Sequence, residues 1–378
     1  MVRLGDVCTI VSGSTPKSNI PEYWDGDIKW ITPAELDEDT YVIDDSVRHI
    51  TELGVVKTGL KPFPKGTVIL SSRAPIGKTA IAGCEMYCNQ GFKNLICSDK
   101  INPRYLYWFL TCNTEYLNSL GRGATFKEIS KEIVANIEIS LPAVEQQIGI
   151  AAKFEKIREL ISLRKEQLTK LDELVKARFV ELFGECEEHK RLEEYANLIT
   201  KGASPKWQGV DYCEEGTLFV TSENVREGYL DLSKRKYLDN KINEIQPRSM
   251  LKRNDILINI VGASIGRAAV YDCDEVANIN QAVALVRVDY SQINQTYLMT
   301  FLNSPQAIEM YGKMKKGGAR DKLSLQNIAD LQIPVASIEL QKQFATFVEQ
   351  TDKSKLVIQQ SLDKLELLKK SLMQEYFG

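Results

Sequence analysis

The amino-acid sequence predicts an α+β protein made of two similar mixed globular domains, each followed by one long α-helix, with the two helices pairing as an antiparallel coiled coil about a pseudo-twofold axis. Three observations carry this reading. The chain writes its own ending twice, as "LTKLDELVKARFVELFG" (168–184) and "LDKLELLKKSLMQEYFG" (362–378). Both stretches belong to long segments whose apolar residues alternate four and three apart, the spacing of a helical seam. Segments upstream of the first ending recur, in the same order, upstream of the second.

The first globular domain is expected over 1–145 and the second over 185–335. "RLGDVCTIVSGSTP" (3–16) matches "RLEEYANLITKGASP" (191–205), and "WITPAEL" (30–36) matches "FVTSENV" (219–225). "APIGKTAIA" (74–82) matches "ASIGRAAVY" (263–271), and "INPRYLYWFL" matches "INQTYLMTFL". A repeat near half the chain length means two copies of a domain, not a solenoid. At 378 residues, 43% of them hydrophobic and 26% charged, the chain fills two cores. "GTVILSS" (66–72) and "NDILINIV" (254–261), bounded by Gly, Pro and Asn, read as strands. The stretches 103–120 and 295–314 have helical periodicity and are expected to pack on those strands.

The helical segments are expected over 146–184 and 336–378. Laid on one another without a gap, they share Gln147 with Gln341, Ala151 with Ala345, Glu155 with Glu349, Leu168 with Leu362, Leu171 with Leu365 and Phe183 with Phe377. The first seam runs through Ile150, Phe154, Ile157, Ile161, Leu168, Leu171, Val175 and Leu182, interrupted by Arg164 and Arg178. The second runs through Phe344, Val348, Ile358, Leu362, Leu365, Leu372 and Tyr376, interrupted by Thr351, Lys355 and Lys369. Each seam is too imperfect for a parallel homodimer and suits its sister helix, although packing on its own domain would write the same stripe. Pro142 and Pro334 precede the helices, and Gly184 and Gly378 fit as stops.

Several chemistries lack raw material. "SRAPIGKT" (72–79) has Ser72 where a P-loop needs its first glycine, and its sister "VGASIGRA" (261–268) has Val261 there; an Ile-Gly turn beside a strand explains both. His49 and His189 are the only histidines, too few for histidine-based triads or metal sites. Glu188-His189-Lys190 has the spacing of a nuclease metal site but reads as a solvated linker after the Gly184 stop. The eight cysteines include no Cys-x-x-Cys pair and are expected to be buried free thiols. No apolar run approaches a membrane span, so a cytoplasmic protein is expected. A large duplicated chain without a catalytic constellation suits binding or assembly.

Candidate binding residues lie in equivalent loops. "SGSTPKSN" (12–19) offers Ser14, Thr15 and Lys17, and "TKGASPKW" (200–207) offers Lys201, Ser204 and Lys206. Small hydroxyls and lysines of this kind contact phosphates and base edges, although a plain polar turn has the same composition. The Ile-Gly turns carry Arg73, Lys78 and Arg267. "GRGATFKEISK" (121–131) offers Arg122 and Lys127, and "KMKKGGARDKLS" (313–324) offers Lys315, Lys316, Arg320 and Lys322, in flexible basic loops suited to a phosphate backbone or simply to solvent. Asn89-Gln90 and Asn280-Gln281 are shared amides that read adenine bidentately or hold a turn. The net charge of -3 argues against non-specific coating of nucleic acid and leaves room for local basic patches.

The arrangement, with "RLGDV" opening a domain, "LPAVEQQ" (141–147), "LTKLDEL" (168–174), the "IGK/IGR" turns and both Phe-Gly helix ends, resembles the specificity subunit of Type I restriction-modification systems over essentially the entire chain. The resemblance implies two target-recognition domains that bind a bipartite, non-palindromic site on double-stranded DNA, residues up to about 145 reading one part and 189–335 the other. It implies helical regions that separate the domains and dock two methyltransferase subunits, to which restriction subunits are added. S-adenosylmethionine, ATP and magnesium would belong to those partners, with no cofactor and no catalysis in this chain. Helices of ~35 residues at 1.5 Å each would hold two readers about 50 Å apart. A protein–protein adaptor built on the same rod and a metal-dependent nuclease using Glu188 and Lys190 are the rival expectations.

Overall fold

The computed structural model describes residues 1–37, 40–73, 75–123, 127–314 and 321–378. They form two units: Met1–Lys165 with Gln360–Gly378, and Glu166–Gln359.

In the first unit a five-stranded sheet runs in the order Cys8–Val11, Asn94–Cys97, Val68–Leu70, Thr79–Ala82, Val42–Ile43. A three-stranded sheet sets Trp24–Ile31 between Arg48–Ile50 and Tyr87–Cys88. The second unit repeats the plan. Its antiparallel sheet runs Ala196–Lys201, Val283–Val288, Ile256–Asn259, Ala268–Val270, and its other sheet runs Tyr212–Cys213, Tyr237–Leu238, Thr217–Val220, Ala277–Ile279. The strand expected in "GTVILSS" is Val68–Leu70 and that in "NDILINIV" is Ile256–Asn259, all fully buried.

Asp255 sits at the foot of that buried strand, 1% exposed, and accepts two hydrogen bonds from Arg287, Nε at 2.7 Å and Nη2 at 2.6 Å. That bond holds the Arg287 guanidinium above its ordinary range against the opposing pull of burial. Asp255→Ala leaves the guanidinium without its partner and is expected to cost ~3–5 kcal/mol in urea unfolding.

Helices begin where asparagines cap them. Asn102 Oδ1 accepts from Arg104 N (2.9 Å) and Tyr105 N (3.3 Å), and Asn294 Oδ1 from Thr296 N (2.9 Å) and Tyr297 N (3.2 Å). The single helices expected over 103–120 and 295–314 are each two: Pro103–Cys112 with Thr114–Ser119, and Gln295–Leu302 with Pro305–Met314. The break is local chemistry. Asn113 Nδ2 donates to Phe109 O (2.9 Å) and Asn303 Nδ2 to Met299 O (3.0 Å), carbonyls that also accept the asparagine's own backbone N–H, so the side-chain amide competes for the ladder at the helix end.

Glu188-His189-Lys190 is also not a linker. His189–Arg191 pairs antiparallel with Gln332–Pro334, as Val2–Arg3 pairs with Glu138–Ile139 in the first unit. Each domain is thus closed by a strand pair joining its start to its end. The cysteines are free, but Cys213 is exposed and five others are only partly covered, because most lie near strand ends rather than in the core.

The long helices are Val144–Phe183 and Ile338–Phe377, 40 residues each, and both stop before the expected glycines. Every seam residue named from the sequence is buried or half-buried. In the first unit Phe154 stacks between Trp108 (5.0 Å between ring centroids) and Phe377 (5.7 Å). In the second, Phe344 meets Phe179 (5.4 Å) and Phe183 (5.6 Å). The end of one helix therefore lies beside the start of the other in both units, which is an antiparallel pairing.

The polar interruptions are accommodated individually. Lys355 Nζ lies 2.6 Å from Asp172 and 3.3 Å from Asp352. Burial pulls the ammonium down, and the hydrogen bond and charge of Asp172 outweigh it, leaving Lys355 above its usual range. Lys369 Nζ sits 5.9 Å from the centre of the Trp108 ring.

The identical Gln147 and Gln341 are buried hydrogen-bonding clamps. Gln147 Oε1 accepts from Asn102 N (2.8 Å), and its Nε2 donates to Lys100 O (3.0 Å) and Pro142 O (2.8 Å). Gln341 accepts from Asn294 N (2.8 Å) and donates to Ala336 O (2.9 Å). Each long helix is thereby fixed to its own domain at the same point.

Candidate nucleic-acid interface

Backbone hydrogen bonds tie the candidate loops of the first domain into one edge. Ser14 N donates to Cys88 O (3.0 Å), Asn89 N to Ile31 O (3.1 Å), Ser72 N to Gly91 O (2.8 Å) and Ile129 N to Ser72 O (3.0 Å). Arg73 and Arg122 both bridge to Glu128 through their main chains. The same frame recurs in the second domain: Asn280 N donates to Val220 O (3.1 Å), Ile260 N to Ala282 O (2.9 Å) and Leu323 N to Ile260 O (2.9 Å), while Val261 bridges to Lys322.

Two pairs of glycines permit this frame. A Cβ at Gly13 would lie 1.8 Å from Cys88 O, and one at Gly202 would lie 1.7 Å from Ile279 O, so the loop lies directly on its neighbour's backbone. Gly77 and Gly266, the glycines of the Ile-Gly turns, have φ of 97° and 90°, the left-handed region that other residues enter at a cost. The turn reading of those motifs is the one the backbone shows.

The side chains divide into those that hold the frame and those that project. Asn89 Oδ1 accepts from Gly91 N (2.9 Å) and Asn280 Oδ1 from Ala282 N (3.0 Å), so both amide oxygens hold turns. Lys78, expected on the surface, turns inward and donates to the carbonyls of Pro33 (3.3 Å) and Leu36. A half-buried ammonium finds its acceptors in those open carbonyls. Thr15 donates to Gln90 Oε1, joining the first loop to the second. Ser14, Ser204 and Arg73 are half-buried on the edge.

Lys17, Gln90, Arg122, Lys127, Lys201, Lys206, Arg267, Gln281 and Lys322 are exposed. Among the described residues, no carboxylate is in an ion pair with any of the seven cations in this group. Lys315, Lys316 and Arg320 lie outside the described residues.

Sequence reasoning missed three participants. Lys93, only 7% exposed, bonds Glu128 Oε1 (3.0 Å) and Ser72 Oγ (3.2 Å), tying Glu128 to the turn behind it; its sequence context looks like an ordinary strand end. Glu128 is the acidic partner within a basic loop. Trp207 is 84% exposed at the tip of the second domain's first loop.

Two loop edges with one backbone frame and different projecting side chains suit a protein that reads two unlike stretches of a polymer. The family model of the Type I restriction modification DNA specificity domain matches the chain twice, at residues 1–173 and 188–367. The chain belongs to that family.

Its relatives include the Type I restriction enzyme MjaIX specificity subunit of Methanocaldococcus jannaschii, 37% identical over 210 residues that cover 54% of this chain and 49% of the relative. The EcoBI specificity subunit of Escherichia coli is 25% identical over 312 residues, 74% of this chain and 66% of the relative. The chain thus matches about half the length of the first of these relatives and just under two thirds of the second. The fold recurs in a solved chain from a type I restriction-modification system, with a TM-score of 0.70 at 19% identity, covering 100% of this chain and 96% of that one. It recurs in the S subunit from M. genitalium, with a TM-score of 0.58 at 16% identity, covering 100% and 95%.

Among the described residues no helix is long and apolar enough to cross a membrane, and no group of three or more His, Cys, Asp or Glu is placed to hold a metal.

Proposed function

We propose that this chain is the DNA-specificity subunit of a cytoplasmic Type I restriction-modification complex, reading a bipartite, gapped, asymmetric site and carrying no catalytic step itself. The observation that supports it most is the twice-built loop edge, with the same hydrogen-bonded frame and different side chains on each copy. Equal frames accept the same kind of ligand, and unlike tips demand unlike sequences, so the site is asymmetric. Two methyltransferase subunits and the restriction subunits would supply S-adenosylmethionine chemistry, ATP and magnesium.

In the first domain Lys17, Arg122 and Lys127 take phosphates while Ser14, Thr15, Gln90 and Arg73 face base edges. In the second, Lys201, Lys206, Arg267 and Lys322 take phosphates, with Ser204 and Gln281 at the bases. Arg122→Ala with Lys127→Ala removes two cations. Affinity is expected to fall about equally for specific and random duplexes, and the slope of log K against log salt to fall by ~2. Loss of sequence preference without a change in slope would contradict this assignment.

Selection of bound duplexes from random DNA by the assembled complex tests the function itself. A motif of two unlike parts with a fixed gap is expected; no enrichment, with the complex intact, would favour a protein–protein adaptor. We also propose that the long helices set the gap. A heptad added to each, between 154 and 175 and at the equivalent place in its sister, lengthens the helices by ~10.5 Å, close to three base pairs. The gap is expected to lengthen while both half-sites stay the same, and an unchanged gap would remove the helices as rulers.

A further inference from the structure

The chain has four tryptophans, and three are interior: Trp24 is 7% exposed, Trp30 2% and Trp108 1%. The fourth, Trp207, is 84% exposed. Exposure alone would say little, since single apolar residues are common on protein surfaces. What distinguishes Trp207 is the support beneath it and the edge on which it stands.

Its turn, Pro205–Gln208, is held by three backbone hydrogen bonds: Trp207 N to Ser204 O (3.1 Å), Gly209 N to Lys206 O (3.4 Å) and Val210 N to Pro205 O (3.1 Å). Pro205 and Val210 are buried, and Gly209 closes the turn at φ 68°. Three residues before Pro205, Gly202 lies against the backbone of Ile279 and Asn280. The indole is therefore presented from a stiff turn fixed to the segment that carries Gln281. Exposed Lys201 and Lys206 precede it in the same loop. An exposed aromatic on a firmly held turn beside cations is the arrangement by which proteins stack on, or wedge between, bases while the cations follow the backbone.

The aligned loop of the first domain carries no tryptophan. Gly13, Pro16 and Lys17 align with Gly202, Pro205 and Lys206, and Pro16 is buried like Pro205, but the residue at the place of Trp207 is Ser18.

We propose, resting on the DNA-specificity reading, that Trp207 is a DNA-contacting aromatic whose indole packs against the bases of the half-site read by the second domain, where the aligned residue of the first domain is Ser18. The half-site read by the second domain is thus read with an apolar, shape-sensitive contact at the position where the first domain offers a hydroxyl.

The only exposed tryptophan reports on itself. The full chain is mixed with a duplex carrying the gapped site found by selection, with a duplex in which the second half-site is scrambled, and with one in which the first is scrambled. Iodide quenching of tryptophan emission is measured in each. The intact site is expected to shield Trp207 at least threefold from iodide, and scrambling the second half-site to restore quenching under conditions where the duplex remains bound. In the assembled complex, Trp207→Ala is expected to lower affinity for the intact site by roughly tenfold, with Trp207→Phe recovering most of the loss and the salt slope unchanged. Neither substitution is expected to move the melting temperature, because the side chain is outside the core.

If the wild-type chain binds the selected site and Trp207 stays open to iodide, or Trp207→Ala binds like wild type, this inference falls and the DNA-specificity reading stands. If no duplex is bound with sequence preference by the chain or its complex, both fall together.

Discussion

Alanine at Gly202 is expected to abolish recognition by the second domain while leaving the first domain folded. The added methyl would sit 1.7 Å from Ile279 O and 2.4 Å from its carbonyl carbon, backbone atoms of a buried strand that have nowhere to move. Relief requires the whole 200–207 loop to lift, breaking the alignment of Lys201, Ser204, Lys206 and Trp207 with Gln281. Overpacking against main chain costs ~3 kcal/mol or more, which for a unit of this size corresponds to a fall in melting temperature of roughly 6–12 °C. Gly209→Ala is the matched control. Its φ of 68° carries a penalty of ~1–2 kcal/mol, but nothing lies within 4 Å of the new Cβ, so recognition is expected to survive. Calorimetry of the two variants beside selection from random DNA checks the pair; equal behaviour would mean that the close approach at Gly202 has no part in shaping the edge.

The second large effect is expected at Gln147. Its side chain is fully buried and satisfies one amide and two carbonyls of the first domain. Gln147→Leu keeps much of the volume and strands all three groups, at ~1–3 kcal/mol for each that water cannot reach. A loss of ~3–5 kcal/mol is expected in chemical unfolding. Gln341→Leu, which strands one amide and one carbonyl, is expected to cost less. A loss under ~1 kcal/mol at Gln147 would mean that the helix is held to its domain by its apolar seam alone.

The seam itself was legible because periodicity is a one-dimensional signal. Ile150 through Val175 and Phe344 through Leu372 needed only spacing, and all of them face inward. Phe179 was not found, since Arg178 occupied the expected position and the aromatic one residue later turns onto Tyr297 and Phe344. That contact depends on a partner 165 residues further along.

The duplicated loops were legible as places but not as roles. Lys78 and Lys17 look alike in sequence; only the fold shows that one is consumed by the carbonyls of Pro33 and Leu36 and the other projects. Asn89 and Asn280 were readable either as base readers or as turn amides, and their hydrogen bonds to Gly91 and Ala282 place them in turns. The His189–Arg191 strand was hidden because its pairing partner, Gln332–Pro334, lies at the far end of the domain. Local composition cannot report a non-local ladder.

The most direct test of the account is a map of methylated bases in host DNA, read by single-molecule sequencing, from cells holding the methyltransferase with this chain, without it, and with its Gly202→Ala variant. The account predicts one gapped, asymmetric motif with the chain, none without it, and with the variant a motif lost or relaxed only in the half read by the second domain. A motif that persists without the chain, or an active methyltransferase bound to the folded chain that marks no gapped site, would contradict it.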